Sequence, residues 1–232
     1  MIPLKDNVPT RHLPIVTLAL IGINAYAFLK AFALGSHAGQ RYLLYYGLIP
    51  CSLTGTCQVT GRAFSPELTL LTSMFVHAGF FHFAGNMLYL WIFGNNVEDS
   101  MGKIRFVVFY LLCGLAAAYA QVLVGPDSRI PMVGASGAVS GVLAAYLLLF
   151  PNARVLTLIP LGFFFHMAEI RAGFVLGFWI VIQLLNGVLT FGHDGGGVAW
   201  FAHIGGFVAG FALIGLFKRR SVPWGWQRHR LL

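Results

Sequence analysis

Charge is scarce in this chain. Only 9% of its 232 residues are Asp, Glu, Lys or Arg, and seven of those are acidic. With a mean hydropathy of +0.78, so little charge excludes a soluble domain of ordinary composition. Three cysteines are too few for a disulfide framework. Neither Cys-x-x-Cys nor His-Glu-x-x-His occurs, and a metal site built from His77, His82 and His203 would lack a carboxylate or thiolate partner nearby, so no metal and no other cofactor is expected. No convincing internal repeat is present, which counts against a transporter with paired halves.

What the chain does have is apolar length. Runs at 13–34, 71–94, 104–124, 134–150, 172–191 and 199–217 lie near the ~20 residues that cross ~30 Å of hydrocarbon, which predicts an all-α polytopic membrane protein with six spans in one domain, 1–232. The first run follows Lys5 and Arg11 and exceeds a signal-peptide core, so it reads as an uncleaved anchor. An even number of spans puts both termini on one side, with Lys5, Arg11, Lys103, Arg105, Arg154, Arg171, Lys218, Arg219, Arg220, Arg228 and Arg230. The other side receives Lys30, Arg41, Arg62 and Arg129. By the positive-inside rule both termini are cytoplasmic. The net charge of +8 then reflects topology and contact with anionic lipid, concentrated in the basic tail 218–232, rather than nucleic acid binding.

The external loop 35–70 is long for a structureless connection and is expected to carry its own order, lying in the membrane interface through Tyr45, Tyr46, Leu48, Ile49 and Phe64. It holds Cys51 and Cys57, whose pairing the sequence leaves open; Cys113, inside a span, reads as a packing residue. The link 95–103 places Glu98 and Asp99 where they can pair with Lys103 or Arg105. Between spans 5 and 6, Gly192, Gly195, Gly196 and Gly197 surround His193 and Asp194, as in a lid or a plain connector.

Spans 2, 4 and 6 enter from outside under this topology, so their N-terminal ends share one depth. His82 and Asn86, Ser136, and His203 fall there. His82 and Asn86 are four residues apart and share a helix face. The fourth run spans only ~25 Å, so its start at Gly134 is expected below the outer surface. Gly137 and Gly141 on span 4, and Ala202, Gly206 and Gly210 on span 6, are small-residue faces that let helices pack closely. A serine hydroxyl needs a neighbouring base to become a nucleophile, and acyl transfer needs donors for an oxyanion. The pattern therefore points to a Ser136–His203 dyad. Asn86, His82 and the Ser136 backbone N–H supply the anion site at a helix start. Apart from Asp194, no carboxylate lies near enough to complete a triad.

At these residues the chain resembles the rhomboid family of intramembrane serine proteases. The motifs are Gly134-Ala135-Ser136-Gly137, Ala202-His203-Ile204-Gly205-Gly206 and His77-x-x-x-x-His82-x-x-x-Asn86. They are joined by Leu71-Thr72-Ser73-Met74-Phe75, Gly94-x-x-Val97-Glu98 with Gly102, and Tyr45-Tyr46-Gly47-Leu48-Ile49-Pro50. The resemblance implies a six-helix core with a short central helix carrying Ser136, His203 as general base, and Asn86 and His82 as oxyanion donors. It also gives His77 a family histidine position, with a loop-ordering hydrogen bond as its plainest role.

The chain departs from some members in lacking a Trp-Arg pair in the first loop. It also has Ser140 where an aromatic stacks on the catalytic histidine, which leaves Ser140, Trp200 or Phe201 to orient His203. The implied function is hydrolysis of peptide bonds in or near the transmembrane segment of a single-span protein in a bacterial inner membrane. Substrate would enter between spans 2 and 5 past Phe174, Phe178 and Trp179. Rival readings are a pseudoprotease that binds transmembrane clients and a proton-coupled transporter relaying through His77, His82 and His203.

Overall fold

A computed structural model describes residues 1–60, 64–191 and 197–225. Arg62, Arg228 and Arg230 lie outside the described residues, as do Gly192, His193, Asp194, Gly195 and Gly196 of the glycine-rich connection.

Strand β1 (Ile2–Asp6) precedes α1 (Ile15–Ala33), α2 (Gly35–Tyr46) and the single turn α3 (Pro50–Leu53). Short turns from Pro66 to Phe75 include α4 (Thr69–Thr72). Helix α5 (Phe80–Tyr89) runs through a π-helical turn (Leu90–Gly94) into α6 (Asn95–Met101). Then come α7 (Lys103–Val124), α8 (Ser136–Leu149), the hairpin β2 (Arg154–Leu161) and β3 (Phe164–Arg171), α9 (Ala172–Leu189) and α10 (Trp200–Phe217).

Among the described residues, α1, α7, α9 and α10 are each long and apolar enough to cross a bilayer. The segments 66–75 and 80–101 pass that test together, bent by 77° at their break. At 14 residues, α8 is only ~21 Å long. It is buried nearly throughout, from Gly137 to Tyr146 and at Leu149, and packs with Phe93, Phe106, Phe109 and Tyr110 in the core. The outer faces of α1 and α9 carry exposed Tyr26, Phe32, Phe174 and Val188, as expected of helices solvated by lipid.

Three expectations change here. The run 71–94 is not one straight span: Val76 and Gly79 are extended, and hydropathy, which sums a window, carries no information about direction. The stretch 95–103 is not a polar link, because the helix continues to Met101 with Asn96, Val97, Glu98 and Ser100 buried.

Nor does Glu98 pair with Lys103 or Arg105. Its carboxylate accepts the backbone N–H groups of Val16 and Thr17, at 3.0 and 2.8 Å, and the Thr17 hydroxyl at 2.8 Å. The first N–H groups of a helix have no partner within it, and Pro14 at the N-cap offers no side-chain acceptor, so a carboxylate from α6 caps α1. Asp99 in turn accepts from the Arg11 N–H at 3.0 Å and meets His12 Nδ1 at 2.6 Å.

The long loop does have its own order, as α2 and α3, and Cys51 and Cys57 are bridged. No pattern in the sequence marks the connection between α8 and α9 as ordered, yet it forms a hairpin. With β1 it makes an antiparallel sheet in the order β1-β2-β3, with Asp6 opposite Val155 and Arg154 opposite Arg171. The strand thereby sets Asp6 where it accepts from the Tyr146 hydroxyl of α8 at 2.5 Å and the Asn96 amide at 2.7 Å. The end of α8 away from Ser136 is thus tied to the N-terminus of the chain.

Candidate active site

Helices α8 and α10 meet through glycine. A Cβ added to Gly206 would run into the Gly137 carbonyl, and one on Gly210 into the Gly141 carbonyl. The two backbones approach this closely because glycine stands at the contact, which is what the repeated small residues of both helices predict. Ser136, one residue before Gly137, and His203, three residues before Gly206, therefore lie at similar depth.

Ser136 is the first residue of α8, so its N–H belongs to the turn that lacks intrahelical acceptors. Gly134 precedes it at φ +120°, a left-handed conformation that disfavours a side chain. A Cβ there would lie 2.6 Å from His82 Cε1 and Nε2, and 3.6 Å from Ser136 Oγ. The His82 ring and the Ser136 hydroxyl thus flank one backbone position. The Gly134 N–H donates to the Ser73 carbonyl at 2.8 Å. Buried His77 stands behind this loop, its Nε2 receiving the Ala135 N–H at 3.5 Å, the outer limit of a hydrogen bond, with its ring edge-on to His82 at 5.2 Å.

Ser140 is fully buried and does not reach His203. Its hydroxyl donates to the Ser136 carbonyl at 2.6 Å, the back-bond a serine makes one turn along a helix. Phe201 packs on Phe191. Trp200 touches the His203 ring edge-on, with centroids 6.2 Å apart at 90°. Trp179 of α9 also lies against the imidazole, tilted, with centroids 5.9 Å apart at 37°.

Sequence reasoning missed two glutamines here. Gln183 Oε1 lies 2.7 Å from His203 Nδ1, and Gln121 Oε1 accepts the Ala202 N–H at 3.2 Å, capping the start of α10. An amide inside an apolar run was the available signal, because such groups are costly in hydrocarbon unless they are used.

Ser136, His203, His82 and Asn86 all line one cavity of about 760 Å³, with Gln121, Trp179 and Trp200. Asn86 donates one amide hydrogen to the His82 carbonyl at 2.9 Å, which leaves its second N–H for a ligand. Among the described residues, no hydrogen bond joins the Ser136 hydroxyl to the His203 ring; catalytic hydrogen bonds are often long before substrate binds.

The family model described as the Rhomboid domain matches residues 66–220. Rhomboid protein 1, mitochondrial, of Saccharomyces cerevisiae is 33% identical over 94 residues, covering 39% of this chain and 27% of that protein. Rhomboid protease GluP of Bacillus subtilis is 34% identical over 132 residues, covering 50% of this chain and 25% of that protein. The Presenilin-associated rhomboid-like protein, mitochondrial, of Mus musculus is 32% identical over 143 residues, covering 54% and 38%. In each case the match takes in well under half of the relative's length.

Proposed function

The chain belongs to the rhomboid family, whose members are generally intramembrane proteases, and we propose that it is itself a serine endopeptidase working through Ser136 and His203. The observation that carries this reading is the meeting of α8 and α10 through Gly137 and Gly206, with Ser136 and His203 both lining the cavity that also holds His82 and Asn86.

In the reaction, Ser136 Oγ attacks the scissile carbonyl carbon while its proton passes to His203 Nε2. The carbonyl oxygen becomes an oxyanion, received by the free Asn86 N–H, His82 and the Ser136 N–H at the positive end of α8. Collapse breaks the C–N bond, and His203 returns the proton to the leaving amine. Water then attacks the acyl-enzyme by the same route and releases the carboxylic acid.

A peptide bond within a regular helix has its carbonyl already hydrogen-bonded, so the favoured substrate is a single-span protein whose helix unwinds near its outer end at Gly, Pro or polar residues. Entry from lipid lies between α5 and α9, where Phe81 and Trp179 line the cavity and Phe174 and Phe178 are exposed to lipid. By the positive-inside argument both termini face the cytoplasmic side of a bacterial inner membrane, with the cavity opening outward.

The missing hydrogen bond between Ser136 and His203 is the one observation that favours a client-binding pseudoprotease. A fluorophosphonate probe decides between the two, since it labels only an activated serine. Labelling of Ser136 that disappears in His203→Ala is the expected result; an unlabelled, folded chain would overturn the proposal.

A further inference from the structure

A histidine acts as a base only through the ring nitrogen that holds a free lone pair, and the partner of the other nitrogen selects which one that is. His203 Nδ1 is 2.7 Å from Gln183 Oε1. The same amide donates through Nε2 to the Trp179 carbonyl, one helical turn earlier, at 3.2 Å. The second bond determines the sense of the first. A carbonyl only accepts, so the amide nitrogen must face Trp179 and the amide oxygen must face the imidazole. Nδ1 then carries the hydrogen, and Nε2 keeps its lone pair.

Gln183 is 5% exposed within the largely apolar α9, and both polar atoms of its side chain are used. Trp179 presents its ring to His203 from the same helix, so α9 contacts the imidazole both through the Gln183 amide at Nδ1 and through an aromatic ring.

We propose that Gln183 is the positioning residue of this site. It fixes His203 as the Nδ1–H tautomer and so directs Nε2 toward the Ser136 proton. The catalytic consequence rests on the Ser136–His203 reading, whereas the tautomer does not. A neutral amide here does the orienting that a carboxylate does in a triad without placing a second charge in a low-dielectric site.

The test compares the full chain with Gln183→Met, which keeps the volume but loses the acceptor, and Gln183→Glu, which keeps the acceptor. Each is reconstituted with ¹⁵N-histidine for NMR and assayed on a single-span substrate. In the unsubstituted chain His203 Nδ1 is expected to be protonated and Nε2 bare. Gln183→Met loses that preference, and kcat falls about 10- to 100-fold with little change in KM, a part of the roughly 10²–10⁴ that a positioned base supplies. Gln183→Glu restores the tautomer and most of the rate.

An Nε2–H tautomer in the unsubstituted chain would overturn the inference, as would a Gln183→Met variant that keeps both tautomer and kcat. If the chain cleaves nothing, yet the expected tautomer is present and lost in Gln183→Met, the protease reading falls and the placement of Gln183 stands.

Discussion

Gly206 has no room for a methyl group, because the space where its Cβ would go is occupied by the Gly137 carbonyl. Ser136 and His203 belong to helices whose separation is set by that contact. Gly206→Ala is therefore expected to force α8 and α10 apart, at an overpacking cost of about 1–3 kcal/mol, and to abolish probe labelling of Ser136. Gly177→Ala on α9, where a Cβ meets nothing within 4 Å, is the control and should leave both unfolding temperature and labelling as they were. Thermal unfolding in detergent, read beside labelling, checks the pair.

Asn86 keeps one amide hydrogen for a ligand while spending the other on the His82 carbonyl. If the free one meets the oxyanion, Asn86→Ala lowers kcat by about 10²-fold while KM changes little. An unchanged kcat would remove Asn86 from the anion site.

Glu98 is 3% exposed and caps α1 with both carboxylate oxygens. Glu98→Ala strands two N–H groups and the Thr17 hydroxyl, at a cost of about 1–3 kcal/mol for a buried group left unsatisfied. Glu98→Gln retains one acceptor and should lose less. The readout is the difference in unfolding temperature between the two variants.

Asp6 lies outside the membrane spans, and burial pushes its carboxyl above the usual carboxylate range; the Tyr146 hydrogen bond pulls the other way without cancelling the shift. The folded chain therefore holds this proton more tightly than the unfolded chain does. The stabilisation is fully present below the unfolded value and is lost as pH rises through the folded one. Stability measured across the mildly acidic range should decline with rising pH, and Asp6→Asn should flatten that decline. Tyr146→Phe removes a hydrogen bond to the carboxylate and should cost about 1.5 kcal/mol, the low end for a charged acceptor because Asp6 is only partly buried.

The sequence made some of this legible and hid the rest for physical reasons. The positions of Ser136, His82, Asn86 and His203 could be read because hydropathy sets depth, and small residues at every fourth position mark where helices meet. The bend before Phe80 was invisible because an apolar run carries no direction. The sheet was missed because β1 finds its partner about 150 residues away, and no local pattern announces such a pairing. Glu98 read as a surface charge until the helix beneath it turned out to extend to Met101. Gln183 stood out only as an amide in an apolar run, and Trp179 read as part of a substrate entrance rather than as a neighbour of His203. What connects them to His203 is the packing of α9 against α10.

The central claim is that Ser136 and His203 together cut a peptide bond at the membrane. It is tested most directly by incubating the purified chain in liposomes with a panel of single-span proteins and mapping the products by mass spectrometry, beside Ser136→Ala and His203→Ala. The account predicts a cut in or just outside the spanning segment of at least one protein, and none with either folded variant. Cleavage at the same bond by Ser136→Ala would contradict it.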